Sequence, residues 1–270
     1  MPMKLTNTLS QNFSLQLSTS LALDRGLEEV YGMVKSHENN LADKGFLKEM
    51  KAFLLASNKK SLFRKGLPKG YFLRDDPALL DRALVFAEHR HRGEYRESGY
   101  PYLAHVLGTG FLLARLGFPR EVILAGILHD TVEDAPDKNK ILNELHAIAP
   151  AIAWHVYSVS APDIKDAIEK DRVLYAKIRE ASIAGDRFPE AIKCADSISN
   201  LYDLEYMKPR DGRSSQKRQQ LFLEKTRKII LPFARTIDET GIIPLKKGKE
   251  RFSLLEFIED TLENKNATEE

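Results

Sequence analysis

The stretch "GILHDTVEDA" (Gly126–Ala135) places His129, Asp130, Glu133 and Asp134 within six positions, directly behind an apolar run. One imidazole and three carboxylates at that density are either a polar helix end facing water or half of a metal site. Residues four apart on a helix share a face, so a helix continuing through the segment stacks His129 over Glu133 and Asp130 over Asp134. Its other side, Val122, Leu124, Ile127 and Leu128, is apolar. The C-terminal end of a helix disfavours carboxylates by about 0.3–1 kcal/mol each, a penalty that a bound cation reverses.

A metal needs more ligands than this segment holds, and two other segments supply them. "SGYPYLAHV" sets His105 among Leu103, Val106 and Leu107, where a lone histidine is ordinarily a satisfied core residue. "EAIKCADSISNLYDL" sets Lys193, Asp196, Asn200 and Asp203 at spacings of three, four and three, a polar stripe on an otherwise apolar helix. A solvated stripe is the plain reading, yet Ile192, Ala195, Ile198 and Leu201 leave little ordinary amphipathic surface around it. Together, His105, His129, Asp130 and Asp196 offer two imidazoles and two carboxylates. Mixed nitrogen and oxygen ligation suits Mn²⁺, Fe²⁺ or Zn²⁺, and the single cysteine, Cys194, gives no thiolate cluster. Such an ion acidifies water and neutralises phosphoryl charge, the chemistry of phosphate-ester hydrolysis.

The elements that must position these residues are helices. "DPALLDRALVFAEHRHRG" opens on Asp-Asp-Pro, a helix start, and "YPYLAHVLGTGFLLARLG" runs from Pro101 to a stop at Gly117. "FPREVILAGILHDTVEDAP" starts near Pro119 and is expected to end at Pro136. Further helices are expected at about 138–160, 163–184, 188–207, 215–240 and 253–264, and no strand-like alternation bounded by hairpin turns is evident. The fold class is all-α, helix packed on helix. Before this region, "LDRGLEEVYGMVKSHENN" and "ADKGFLKEMKAFLLAS" form two helices, the first with Leu27, Val30 and Val34 at helical spacing. Residues 1–24 have no sustained helical period; the alternation of Phe13, Leu15 and Leu17 suits a strand or a loosely docked tail. A basic linker at residues 59–69 marks a boundary near 75. It divides the chain into an N-terminal extension (1–74), a helical domain (75–240) and a C-terminal helix and tail (241–270).

Composition narrows the classes. Hydrophobic residues at 43% and charged residues at 30% suit a soluble globular protein and exclude wholesale disorder. Lys+Arg 41 against Asp+Glu 39 gives +2, too balanced for bulk attraction to nucleic acid or a membrane. One cysteine excludes an internal disulfide framework, no apolar run approaches the ~20 residues of a membrane span, and the expected location is the cytoplasm.

The order His…His-Asp…Asp on successive helices resembles the HD superfamily of metal-dependent phosphohydrolases. "HRGEYRESGYPYLAH", "AGILHDTVEDA" and "IKCADSISNLYDL" look like the hydrolase domain of Rel/SpoT-type alarmone enzymes and their stand-alone small relatives, over roughly residues 78–235. The resemblance implies an HD-domain helical bundle that hydrolyses guanosine 3′,5′-bis(diphosphate) and releases its 3′-pyrophosphate. It implies Mn²⁺, or another divalent transition metal, on His105, His129, Asp130 and Asp196. Glu133 and Asp134 match the family's pair that activates or positions water. Arg96 and Ser98 match a loop lining the nucleotide site, and Asn200 a residue near the ribose. Lys193 belongs to the same segment as Asp196, as an ion-pair partner or a site residue.

Three departures stand out. Val106 replaces a usual proline, Glu97 stands where many members have lysine, and Ser197 stands where a basic residue is common. The last two remove positive charge near an anionic substrate. The expected partner is therefore a nucleotide small molecule, with self-association into a homo-oligomer open. The rival readings are an HD phosphohydrolase of another purine nucleotide (an adenine alarmone, a nucleoside 5′-phosphate or NADPH) and a catalytically silent nucleotide sensor. A nucleic-acid binder using the basic linker ranks last, with only Phe63, Tyr71 and Phe72 as stacking platforms. The N-terminal extension is expected to be dispensable for chemistry and to serve regulation or assembly.

Overall fold

The computed structural model describes residues 3–60, 72–133, 135–241, 246–247 and 250–267. Asp134 and the linker residues 61–71, with Phe63 and Tyr71, lie outside them. The described chain is helical: α1 (Met3–Ser36), α2 (Lys44–Lys60), α3 (Pro77–His91), α4 (Leu103–Arg115), α5 (Arg120–Leu128), α6 (Lys138–Ile148), α7 (Pro150–Val159), α8 (Ala167–Ile183), α9 (Phe188–Tyr202), α10 (Ser215–Lys225), α11 (Leu231–Thr240) and α12 (Leu254–Ala267). Strand pairing is confined, among the described residues, to a two-residue antiparallel ladder between Lys246–Lys247 and Glu250–Arg251 and two isolated bridges.

α4 is the axis of the bundle. Every residue from Leu103 to Ala114 is buried, and α1, α2, α5 and α9 pack around it. Two glycines set how closely. A Cβ on Gly110 would lie 2.3 Å from Ile127, and one on Gly126 would lie 2.4 Å from Leu113, so α4 and α5 touch nearly backbone to side chain. That contact carries His105 on α4 towards the end of α5.

Helix starts follow local chemistry. Asp76 caps α3 by accepting from the Leu79 N–H at 3.0 Å, with Pro77 in the first turn. Asp137 and Asp166 cap α6 and α8 in the same way. The run expected over 138–160 is two helices, because Ala149 is extended and Pro150 starts a new one. The run expected over 215–240 is interrupted by a π turn, Thr226–Ile230, just before Pro232, which has no N–H for the Lys228 carbonyl four residues back.

The N-terminal segment differs from expectation. Residues 3–24 are helical and continuous with the expected helix, so α1 is 34 residues long. Leu23, Leu27, Val30, Tyr31 and Val34 are buried in the same apolar cluster as α4 and α9. Once that packing has nucleated a helix, extension adds one hydrogen bond per residue with no further nucleation cost. Among the described residues, no helix is long and apolar enough to cross a membrane.

Candidate metal centre

α5 stops at Leu128, earlier than expected, for a reason visible in its side chains. His129 Nδ1–H donates to the Gly126 carbonyl at 2.8 Å, and the Thr131 hydroxyl donates to the Leu128 carbonyl at 2.7 Å. These are the acceptors that the Asp130 and Val132 N–H groups would need for the helix to continue. The stacking of His129 over Glu133 expected from a continuous helix therefore does not form; that of Asp130 over Asp134 lies outside the described residues. Glu133 instead pairs with Lys170 in the first turn of α8 at 2.8 Å.

The early stop turns His129 and Asp130 towards α4 and α9. Asp130 Oδ2 lies 3.1 Å from His129 Nε2 and 3.5 Å from His105 Nε2. Asp196 Oδ1 lies 3.3 Å from His105 Nε2 and 3.5 Å from His129 Nε2. His105, His129 and Asp130 each present a ligand atom within 4.8 Å of the other two. Both histidines are buried.

Each ligand-type side chain is held from behind. The Ser199 hydroxyl donates to the His105 carbonyl at 3.2 Å, which leaves its lone pairs to accept His105 Nδ1–H at 3.0 Å. His105 Nε2, like His129 Nε2, is then the ring atom that faces the carboxylates. The Tyr102 hydroxyl donates to Asp130 at 2.8 Å. Lys193 pairs with Asp196 Oδ2, and Asn200 donates to Asp196 Oδ1 at 2.6 Å.

His129 Nε2 is buried with no hydrogen-bond partner, directed at two carboxylates. A lone pair facing carboxylates repels unless a cation lies between them. In metal-free protein the proton fills that role. Burial alone would lower the His129 pKa, but Asp130 and Asp196 outweigh it and push it up to about 10. Both carboxyls lie well below their usual range despite burial; His129 and His105 hold Asp130 there, and Lys193 with the two histidines holds Asp196. Two imidazole nitrogens and two carboxylates competing for one positive charge fit a divalent metal ion.

Two cavities flank the cluster and share Tyr95 and Tyr102. One, of about 340 Å³, reaches Asp130 and contains His91, which stacks on the Tyr102 ring and pairs with Glu94 at 2.8 Å. The other, of about 360 Å³, brings together Arg96, Glu97, Ser98, Asn200 and Arg218. Arg96 donates to Asp203 at 2.9 Å and to Asn200 at 2.8 Å, so it is linked to Asp196 through one amide. The Ser98 hydroxyl is buried there without a partner. Glu97 takes two contacts from Arg218, at 2.8 and 2.9 Å, and the Lys208 N–H at 2.6 Å. Its negative charge is neutralised inside the cavity wall.

Sequence reasoning missed Tyr102, Ser199 and Tyr31. Tyr102 stands one turn before His105, and Ser199 three residues after Asp196, so helical spacing could have found both. Tyr31 reaches Ser199 at 3.3 Å and Asp203 at 3.4 Å from a helix far away in sequence, a contact that no local signal marks.

Residues 83–205 match the HD domain. That span contains both histidines, both aspartates and most of the residues that brace them. A Spiroplasma citri protein named guanosine-3′,5′-bis(diphosphate) 3′-pyrophosphohydrolase is 31% identical over 140 residues, 51% of this chain and 19% of its own length. A probable GTP diphosphokinase of Arabidopsis thaliana is 26% identical over 245 residues, 86% of this chain and 33% of its own. The chain thus spans a fifth to a third of these relatives. The solved structure of a metazoan SpoT orthologue described as hydrolysing ppGpp superposes with a TM-score of 0.54 at 22% identity, over 70% of this chain and 96% of that one. That likeness shows the fold alone, a bundle of helices.

Proposed function

We propose that the chain hydrolyses guanosine 3′,5′-bis(diphosphate) and related alarmones at the 3′ position, with Mn²⁺ held by His105, His129, Asp130 and Asp196. The observation that carries the reading is the convergence of two inward-facing imidazole Nε2 atoms and two carboxylates, from α4, α9 and the end of α5, between two polar cavities. A divalent ion bound there would acidify water and neutralise charge on a phosphoryl group.

The protein's own groups do the rest. Ser199 and the Gly126 carbonyl fix both imidazoles with Nε2 inward. Tyr102 and Lys193 orient the two carboxylates. In the reaction, water oxygen bonds to the phosphorus on O3′, the P–O3′ bond breaks, and the ribose oxygen takes a proton; GDP and pyrophosphate leave. Glu133, released from Lys170, takes the proton from water, and Asp134 positions that water. Ser98 and Asn200 bind the nucleoside side, and Arg96 answers its phosphate charge. The paired cavities support a ligand with phosphate groups at two ends, since each side of Tyr102 offers room.

Protein loaded with Mn²⁺ and given a nucleotide panel tests the reading. The panel contains guanosine and adenosine bis(diphosphates), nucleoside 5′-phosphates and NADPH, with products separated by chromatography. GDP and pyrophosphate from the guanosine compound are expected. Because Glu97 and Ser197 replace basic residues, preferential turnover of NADPH or of an adenine compound would move the substrate and leave the metal reading intact. No turnover of any compound by metal-loaded protein would make the chain a sensor.

A further inference from the structure

A groove of about 750 Å³, roughly twice either cavity beside the cluster, runs between α8 and α10 and belongs to neither. Its α8 wall carries Ile168, Arg172, Tyr175 and Arg179, a stripe at three-and-four spacing, and its α10 wall carries Leu221 and Lys225. Ile168 is 81% exposed and Leu221 38%, which leaves the apolar floor open to solvent. The rim is cationic. Lys225 and Lys228 are each matched by a carboxylate, Asp171 at 2.8 Å and Glu224 at 3.4 Å. Arg179 and Arg213 have no ion pair or side-chain hydrogen bond among the described residues. Arg172 is likewise paired, with Glu169 at 2.6 Å. An apolar floor of Ile168, Tyr175, Ala176, Leu221 and Ile229, edged by the unpaired guanidiniums of Arg179 and Arg213, complements an amphipathic helix with carboxylates along its flanks.

The same elements touch the nucleotide cavity. Arg210 lines that cavity and Arg213 lines the groove, and the two are clamped by reciprocal backbone hydrogen bonds of 3.0 Å across a tight turn. Asp211 in that turn has φ 52°, the one positive φ outside glycine among the described residues, and Gly212 follows with φ 72°. Arg218 in α10 holds Glu97 in the cavity wall, one turn before Leu221. The π turn Thr226–Ile230, a rare element that recurs at functional sites, lines the groove through Lys228 and Ile229. The turn and α10 both lie beyond residue 205, where the HD match ends.

We propose that this groove docks an acidic amphipathic helix of a partner protein, and that docking changes nucleotide affinity through the Arg210–Arg213 turn and Arg218. Docking stands apart from the proposed catalytic function; the coupling to nucleotide rests on it.

The probe is a fluorescein-labelled synthetic helical peptide with leucines at three-and-four spacing and glutamates elsewhere. Its control is the same peptide with lysines in place of the glutamates. With the full chain, the glutamate peptide is expected to raise anisotropy saturably and to weaken with added salt. Arg179→Glu with Arg213→Glu should cost about tenfold in affinity, as should Leu221→Asp, at exposed positions that leave the circular dichroism unchanged. Equal binding of both peptides, or binding indifferent to these substitutions, overturns the docking. Saturating peptide should shift the dissociation constant for guanosine bis(diphosphate) by about fivefold or more and alter hydrogen exchange at the Gly212 amide. Saturation with neither change overturns the coupling. Exchange that responds in protein unable to bind any nucleotide would sustain the docking and its effect on the turn, and overturn the coupling to nucleotide together with the catalytic reading.

Discussion

α9 and the end of α5 supply the cluster in opposite ways. On α9, Lys193, Asp196 and Asn200 lie on one unbroken helix and bond to one another along it. At α5, the helix stops at Leu128, and His129 and Asp130 are held by a backbone carbonyl and by Tyr102 from another element. A helix fixes its side chains to within a fraction of an ångström, whereas a helix end leaves freedom to turn. The difference separates two kinds of support: α4 and α9 hold their half of the centre by helix geometry, and residues 129–133 are held by individual side-chain bonds. Glu133, paired outward to Lys170, belongs to the second half.

The severest test of the half held by helix geometry is removal of residues 1–74. α1 covers α4, with the Phe111 ring filling the space over Gly26, where a Cβ would lie 1.9 Å from it. Each large apolar side chain uncovered costs roughly 1.5–3 kcal/mol, and net stabilities are only about 5–15 kcal/mol. A chain starting at Asp75 should lose its cooperative thermal transition. Survival of that transition would restore the two-part division that the linker suggests.

Glu133→Gln addresses the half held by side-chain bonds. Turnover should fall by a factor on the order of 10²–10⁴, the usual worth of a general base, while metal content stays at the wild-type level. Unchanged turnover would leave Glu133 as a surface partner of Lys170. Loss of metal would make it part of the ligand set.

Ser199→Ala removes the brace behind His105 without touching any carboxylate. Metal affinity should drop about 10–100-fold, the range for partners that orient a ligating histidine. An unchanged affinity in a calorimetric titration would mean that α4 alone fixes the ring. The smallest effect is expected for Tyr31→Phe, whose hydroxyl contacts are long. Denaturant unfolding should show a loss of about 0.5–1.5 kcal/mol, with metal affinity nearly unchanged.

The legible parts of the sequence were those that obey one local rule. Asp76–Pro77 announces α3, the apolar run from Leu103 to Leu113 announces a buried helix, and the stripe from Lys193 to Asn200 survives because α9 is continuous. Periodicity could not show where α5 ends, since the choice is made by His129 and Thr131 taking carbonyls that the backbone would otherwise use. Nor could it reveal the helical start of α1, whose Ser- and Thr-rich sequence is weak in isolation and gains helicity from packing further along. The pairing of Glu97 with Arg218 joins residues more than a hundred positions apart, so the charge that seemed lost from the cavity was answered by a residue no motif pointed to.

Metal titration of chelator-stripped protein, wild type beside Asp196→Ala, tests the centre most directly, with hydrolysis of guanosine bis(diphosphate) followed in the same samples. Wild type should take up one Mn²⁺ per chain and regain turnover in proportion, and Asp196→Ala should bind at least about 100-fold more weakly and stay inactive. Full metal content in Asp196→Ala, or turnover by stripped wild type, would contradict a hydrolytic centre built on His105, His129, Asp130 and Asp196.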